Sequence, residues 1–275
     1  MKKYAIVLFI LISASTTYGQ TAMEVIVMMY KEVAKIEGFI AEIKKEERIE
    51  DEYVIQLSKV KLQREPYKVY VKQLAPKEGV EVLARAGNPK TVVNLNSFPW
   101  INLYLDPHGS LMRRNQHHVV YDSGFDLMIS ILKYELSSKL SEERLQRKEN
   151  VIWQGKEMYH LELKNNDYDL IPYQVKPNET LDDIANKLHI NAYAILELNK
   201  DVDDYEDVEE GQEIKVPTHY AKRMTLLIDK KTHLPLVIKV FDNKGLYEKY
   251  EYNSIRLNPV FAPNEFTMEY EGYNF

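Results

Sequence analysis

His117, His118 and Asp122 form the one dense grouping of catalytic or metal-ligating residue types in the chain. The two histidines close the string Arg113-Arg114-Asn115-Gln116-His117-His118, and Asp122 follows four residues on. Two imidazoles and a carboxylate could ligate a metal or move protons. A metal needs a third and a fourth ligand, which His108 or His160 could supply only through tertiary proximity. Neighbouring side chains of an extended segment point to opposite faces, so an extended His117-His118 pair does not face one ion. The reading is that one ring packs beneath the helix beginning near Gly124 and the other is solvated. No Gly-x-Ser-x-Gly elbow, phosphate loop, His-Glu-x-x-His helix or dinucleotide fingerprint occurs. The expectation is therefore a non-enzyme with no catalytic residue, no metal and no cofactor.

Charge excludes another class. Lysine and arginine are interspersed with acids along the chain, so no basic patch for nucleic acid forms. Residues 172–217 hold 12 acids and 4 bases, against 30 acids and 32 bases elsewhere, so this one segment makes the chain acidic. Its densest run is Asp201, Asp203, Asp204, Glu206, Asp207, Glu209 and Glu210. A calcium loop would need a glycine at its turn and a bidentate glutamate where Gln212 stands, so the run reads as a solvated loop.

At the N-terminus Lys2 and Lys3 precede an apolar run from Tyr4 to Ile12 and small polar residues ending at Gly19. This is the pattern of a secretory signal peptide cleaved after Gly19. The run is too short for a permanent span, and no transmembrane segment is expected later. With no cysteine in the chain, disulfides and lipidation at a cysteine are excluded. The protein is expected to be exported, to the periplasm or beyond.

Helical spacing at Met23, Ile26, Val27, Tyr30, Val33 and Ala34 predicts a helix over 21–36, ended by Gly38. Strand patterns follow at 39–49, 53–62, 67–74, 80–86 and 91–95, separated by turn residues such as Pro76-Lys77-Glu78-Gly79. A second helix over 124–139 directs Phe125, Met128, Ile131 and Leu132 inward. Further strands are expected at 150–154, 157–163, 222–228, 235–242 and 246–257, with 157–163 and 222–228 joined as a hairpin whose tip carries residues 172–217.

That insert has its own pattern. Tyr173 and Val175 alternate, Pro177-Asn178 turns, and Leu181, Ile184, Ala185 and Leu188 are helically spaced behind a Thr180 cap. A second helix runs from Ala192 to Asn199, and Gly211-Gln212-Glu213-Ile214-Lys215-Val216-Pro217 ends the unit. These residues resemble the lysin motif (LysM), from Tyr-x-Val through Thr-Leu and Ile-Ala to Gly-Gln-x-Ile-x-Val-Pro. The resemblance implies binding of N-acetylglucosamine glycans, above all peptidoglycan, at Asn178, Glu179, Thr180, Leu181, Asn199 and Lys200. Asn178 stands where the family has glycine, and the acidic loop is long for the family.

The remaining order of elements, with Asn115-Gln116-His117-His118 and Ser123-Gly124-Phe125, resembles an uncharacterised exported family with the half-barrel of periplasmic lipoprotein carriers. The expected fold class is α+β: a long curved antiparallel sheet with two covering helices, plus an inserted βααβ unit. Residues 1–19 form the signal, 20–171 and 218–275 the half-barrel, and 172–217 the LysM unit. The resemblance implies an apolar cavity for a lipid or lipidated partner, lined by Val69, Val71, Trp100, Leu103, Phe125, Met128 and Ile238. A scaffolding protein with a filled core and a LysM-targeted cell-wall hydrolase are the alternatives.

Overall fold

A computed structural model describes residues 20–137 and 141–275; the expected signal peptide lies outside them. Thr21 starts α1 (Ala22–Val33) with a capping box, its hydroxyl accepting from Glu24 N and the Glu24 carboxylate accepting from Thr21 N. Six strands follow: β1 (Gly38–Ile49), β2 (Glu52–Gln63), β3 (Lys68–Ala75), β4 (Glu81–Arg85), β5 (Thr91–Asn94) and β6 (Asn102–Leu105). After α2 (Ser110–Arg113), α3 (Asp126–Glu135) and α4 (Ser141–Arg144) come β7 (Leu145–Trp153) and β8 (Lys156–Lys164). An inserted unit holds β9 (Leu170–Gln174), α5 (Leu181–Leu188), α6 (Ala192–Leu198) and β10 (Glu213–Pro217). The chain then returns through β11 (Arg223–Asp229), β12 (Pro235–Phe241) and β13 (Leu246–Leu257).

Among the described residues, eleven strands form one antiparallel sheet in the order β6-β5-β4-β3-β2-β1-β13-β12-β11-β8-β7. Two meanders are thus joined where β1 pairs with β13. Period-2 alternation sends one side of each strand inward, and α1 and α3 cover part of that face. α1 buries Val25, Ile26, Met29 and Val33, and α3 buries Met128, Ile129, Ile131 and Leu132, in one core with Phe39, Leu62, Val69 and Leu161. Each such side chain contributes about 1.5–3 kcal/mol through burial.

Three features depart from the sequence reading. β6 falls in a stretch where the sequence breaks the strand rhythm; its four residues form a strand because Leu103 pairs with Val93 and Asn102 with Asn94, which sends Leu103 and Leu105 to the same side. β7 begins at Leu145, in a charged stretch, because its backbone pairs with β8. The C-terminal segment packs Phe266 against Tyr70, Leu83 and Val92, stacks Tyr273 on Tyr70 at 3.8 Å, and bonds Asn274 to the buried Glu81 carboxylate.

β8 and β11 pair directly, Lys164 opposite Arg223, so the insert occupies the connection between them, as the hairpin pattern predicts. The unit has its own core of Val175, Leu181, Ile184, Ile195, Ile214 and Val216. It is also docked on the main sheet's connections. Buried Arg113 donates to both oxygens of Asp182 at 2.8 and 2.9 Å, with its guanidinium 3.3 Å from the centre of the Tyr205 ring. Arg113→Ala is expected to loosen this contact at a cost of about 2 kcal/mol. Amide hydrogen exchange should then rise across 172–217 more than in β1 or β13; uniform change across the chain would count against a local latch.

A second polar junction ties α3 to the end of the insert. The buried Glu135 carboxylate accepts from His219 Nδ1 (3.1 Å), Tyr220 N (3.2 Å) and Asn165 Nδ2 (3.2 Å). The Glu135 hydrogen bond raises the His219 pKa above its ordinary 6.5, outweighing burial. A raised folded pKa gives stability that is complete below about pH 6.5 and lost as pH rises through the folded value. His219→Gln should therefore cost about 1–2 kcal/mol below pH 6.5 and progressively less above it. Urea titrations across pH 5.5–9 would check this, and a pH-independent difference would refute it.

Candidate functional site

Register builds a cavity out of alternation. Val60 lies opposite Val71, Val71 opposite Val82, Val82 opposite Val93, and Val93 opposite Leu103, an apolar row running straight across β2 to β6. With Ile43, Leu105, Met128 and Ile238 these side chains bound an open cavity of about 330 Å³. Side chains from eight strands, β1 to β6, β12 and β13, reach it, so the sheet wraps around the space.

Among the residues expected to line an apolar site, Val71, Leu103, Met128 and Ile238 do so. Val69 belongs to the next row, opposite Leu62 and Ala84, where the covering helices fill the space and leave it fully buried. Phe125 is likewise core, packed on Phe39 at 5.7 Å and Tyr252 at 4.5 Å. Trp100 is 68% exposed and edge-on to Phe98 at 5.6 Å, away from the lining, with a left-handed backbone (φ +52°) that turns the chain into β6.

One end of the cavity is polar. Along β1 the inward phase continues from Ile43 to Lys45 and Glu47; along β13 it runs from Tyr252 to Tyr250 and Glu248. His117 Nδ1 lies 2.9 Å and His118 Nε2 3.0 Å from the same oxygen of Glu248. The expectation of one buried and one solvated ring is corrected here. Residues 117 and 118 lie in a bend, so strand alternation does not apply and both rings turn toward Glu248.

His117 Nε2 faces the Arg48 carbonyl oxygen at 2.8 Å. Both its nitrogens thus meet acceptors, and the ring is stacked between Tyr193 at 4.8 Å and Tyr247 at 4.1 Å. Tyr220 donates to the other Glu248 oxygen at 2.7 Å, and Tyr250 donates to Glu47. Burial works against charge on Glu248, but His118 and His117 prevail and hold its carboxyl well below the usual range. Burial also opposes charge on His118, yet Glu248, Asp122 and Glu47 raise its pKa. The cluster is a set of mutually compensated buried charges.

Sequence reasoning missed Lys45, Glu47, Tyr220, Glu248 and Tyr250. The available signal was charge at inward positions of otherwise apolar strand phases. The insert also reaches this end: Asn191, the N-cap of α6, places Nδ2 3.4 Å from His118 Nε2, and Tyr193 is the ring stacked on His117.

In the insert, Asn178 and Lys200 are exposed, Asn178 with φ +58°. Glu179 is held by Tyr173, Lys187 and Lys176 N, and Thr180 caps α5. Leu181 is fully buried, and Asn199 spends its amide on Ile195 O, Lys215 O and Lys215 N. Leu181 N donates to Tyr205 O at 2.8 Å, which ties the start of α5 to the acidic loop.

A family model described as a protein of unknown function, DUF1571, matches residues 36–211 and 185–275. No curated protein matches the chain. Among solved structures, a DUF1329 family protein from Desulfovibrio piger is similar at 8% identity and TM-score 0.36, covering 90% of this chain and 98% of that one. A putative outer membrane lipoprotein-sorting protein domain from Vibrio parahaemolyticus is similar at 13% identity and TM-score 0.34, covering 90% and 97%. Mycobacterium tuberculosis lipoprotein LppX is similar at 10% identity and TM-score 0.41, covering 87% and 97%. No helix among the described residues is long and apolar enough to cross a membrane.

Proposed function

The chain belongs to the DUF1571 family, and from its cavity we propose that it is a non-enzymatic binding protein of the cell envelope whose half-barrel takes an acyl chain of a lipid or lipidated partner. The carrying observation is the register-aligned row Val60, Val71, Val82, Val93 and Leu103 beside an open space of about 330 Å³. Such a space, apolar along its walls and polar at one end, suits an amphiphile better than a filled scaffold core. The test is solvent extraction and mass spectrometry of the purified chain, with titration of an apolar fluorescent probe. Co-purified lipid and saturable binding near one probe per chain are expected. A chain without lipid that binds no probe would favour the scaffolding alternative.

A second reading concerns the insert, which has its own apolar core and whose residues carry the LysM resemblance. On this reading the exposed Asn178 and Lys200 form the edge of a surface for N-acetylglucosamine glycan. The module's negative charge leaves neutral sugar edges as the contacts. Retention of the intact chain on insoluble peptidoglycan, weakened by Asn178→Gly with Lys200→Ala, is the expected result. Both substitutions spare the core. Failure of the intact chain to sediment with the polymer would remove this reading and leave the first intact.

A further inference from the structure

Glu47 and Glu248 are direct cross-strand partners in the β1–β13 register, each with 1% exposure or less. Like charges opposite each other destabilise a ladder, and burial makes the repulsion stronger. His117 compensates Glu248 from one side, while Glu47 has Lys45 Nζ 3.5 Å from its Oε2. His118 Nε2 completes a triangle with the two carboxylates, one donor atom from each residue lying within 4.8 Å of the others.

We propose that Glu47, His118 and Glu248 bind a divalent transition-metal ion of the zinc class at the polar end of the cavity. Two carboxylates and an imidazole are a donor set for zinc, iron or manganese. Ligands about 2.1 Å from a tetrahedral ion stand about 3.4 Å apart. The 3.0 Å separation of His118 Nε2 and Glu248 Oε2 is close to one such edge, and the Glu47 donor atom lies within 4.8 Å of the other two ligands.

The outer contacts are those that orient metal ligands. Asp122 Oδ2 lies 3.7 Å from His118 Nδ1, so a carboxylate stands behind the donor ring and acts on it through charge. Tyr220 fixes Glu248 at 2.7 Å and Tyr250 fixes Glu47. All three ligands border the cavity, so a fourth position opens into it. This site stands whether or not an apolar chain occupies the cavity.

The test uses the full chain stripped with a chelator, titrated with Zn²⁺ by calorimetry and with Co²⁺ by visible absorption. One ion per chain is expected, with a rise in the melting midpoint. His118→Gln should weaken binding at least ~100-fold and abolish the Co²⁺ bands, and Asp122→Asn should weaken it about 10–100-fold. Circular dichroism verifies folding, and Glu47→Gln provides the same readout should His118→Gln fail to fold. Absence of binding at ~100 μM metal, about 5.5 kcal/mol of affinity, would overturn the proposal. So would unchanged affinity in His118→Gln, which would put the cation on the acidic 201–210 loop.

Discussion

Replacing Glu248 with glutamine is expected to lower the unfolding free energy of the chelator-treated protein by about 3–5 kcal/mol. The substitution keeps the shape and removes the charge. His118, whose pKa is raised by this carboxylate, would then lose its main counter-charge, and His117, sealed between Tyr193 and Tyr247, would lose its partner at Nδ1. Breaking one partner out of a buried pair costs far more than the pair itself contributes, because desolvation is no longer offset. The pH dependence has a definite sign. The folded pKa of Glu248 is depressed, so its contribution is present above the ordinary 4.5 and is lost as pH falls toward the folded value. The gap between wild type and variant should therefore be full at pH 7 and shrink below about pH 4.5. Urea unfolding at pH 7 and at pH 3.5 measures both. A loss under about 1 kcal/mol at pH 7 would mean that the cluster does not hold its charges as the geometry requires.

Filling the cavity is expected to weaken apolar ligand binding strongly while sparing the fold. Val71→Trp and Leu103→Trp each project an indole from the apolar row into the space. Because the space is open, the added volume displaces ligand and not neighbouring side chains. Overpacking should cost no more than about 1–3 kcal/mol, and probe affinity should fall about 10–100-fold. Trp100→Ala is the control: this exposed residue lies outside the cavity lining, so its loss should leave affinity unchanged. The opposite pattern, with Trp100→Ala weakening binding and the indole substitutions neutral, would move the ligand to the outer surface near β6.

How much was legible before the structure differs by kind of interaction. Local signals sufficed for most elements: the helical spacing of Met23 to Val33, the alternation through Val54 to Leu62, and the Thr180 cap all correspond to observed elements. Val71, Leu103, Met128 and Ile238 were also legible as inward positions, since parity along a strand or helix decides which way a side chain points. Parity does not decide depth. Val69 and Val71 have the same phase, and only the rows set by cross-strand register put one under the helices and the other on the cavity.

The sequence by itself determined the period of each element, the acidic character of the insert and its place between two strands that pair. Those properties depend on residues close together in the chain. Tertiary structure alone decided that Glu47 opposes Glu248, some 200 residues away, and that a bend turns both His117 and His118 onto one carboxylate. It also decided that the insert docks its second helix against that cluster. The physical reason is that inward parity marks a charge only as facing the interior. Whether that charge meets a partner, a rival or a cavity depends on which strand lies opposite, and pairing across such distances is set by the packing of the whole sheet.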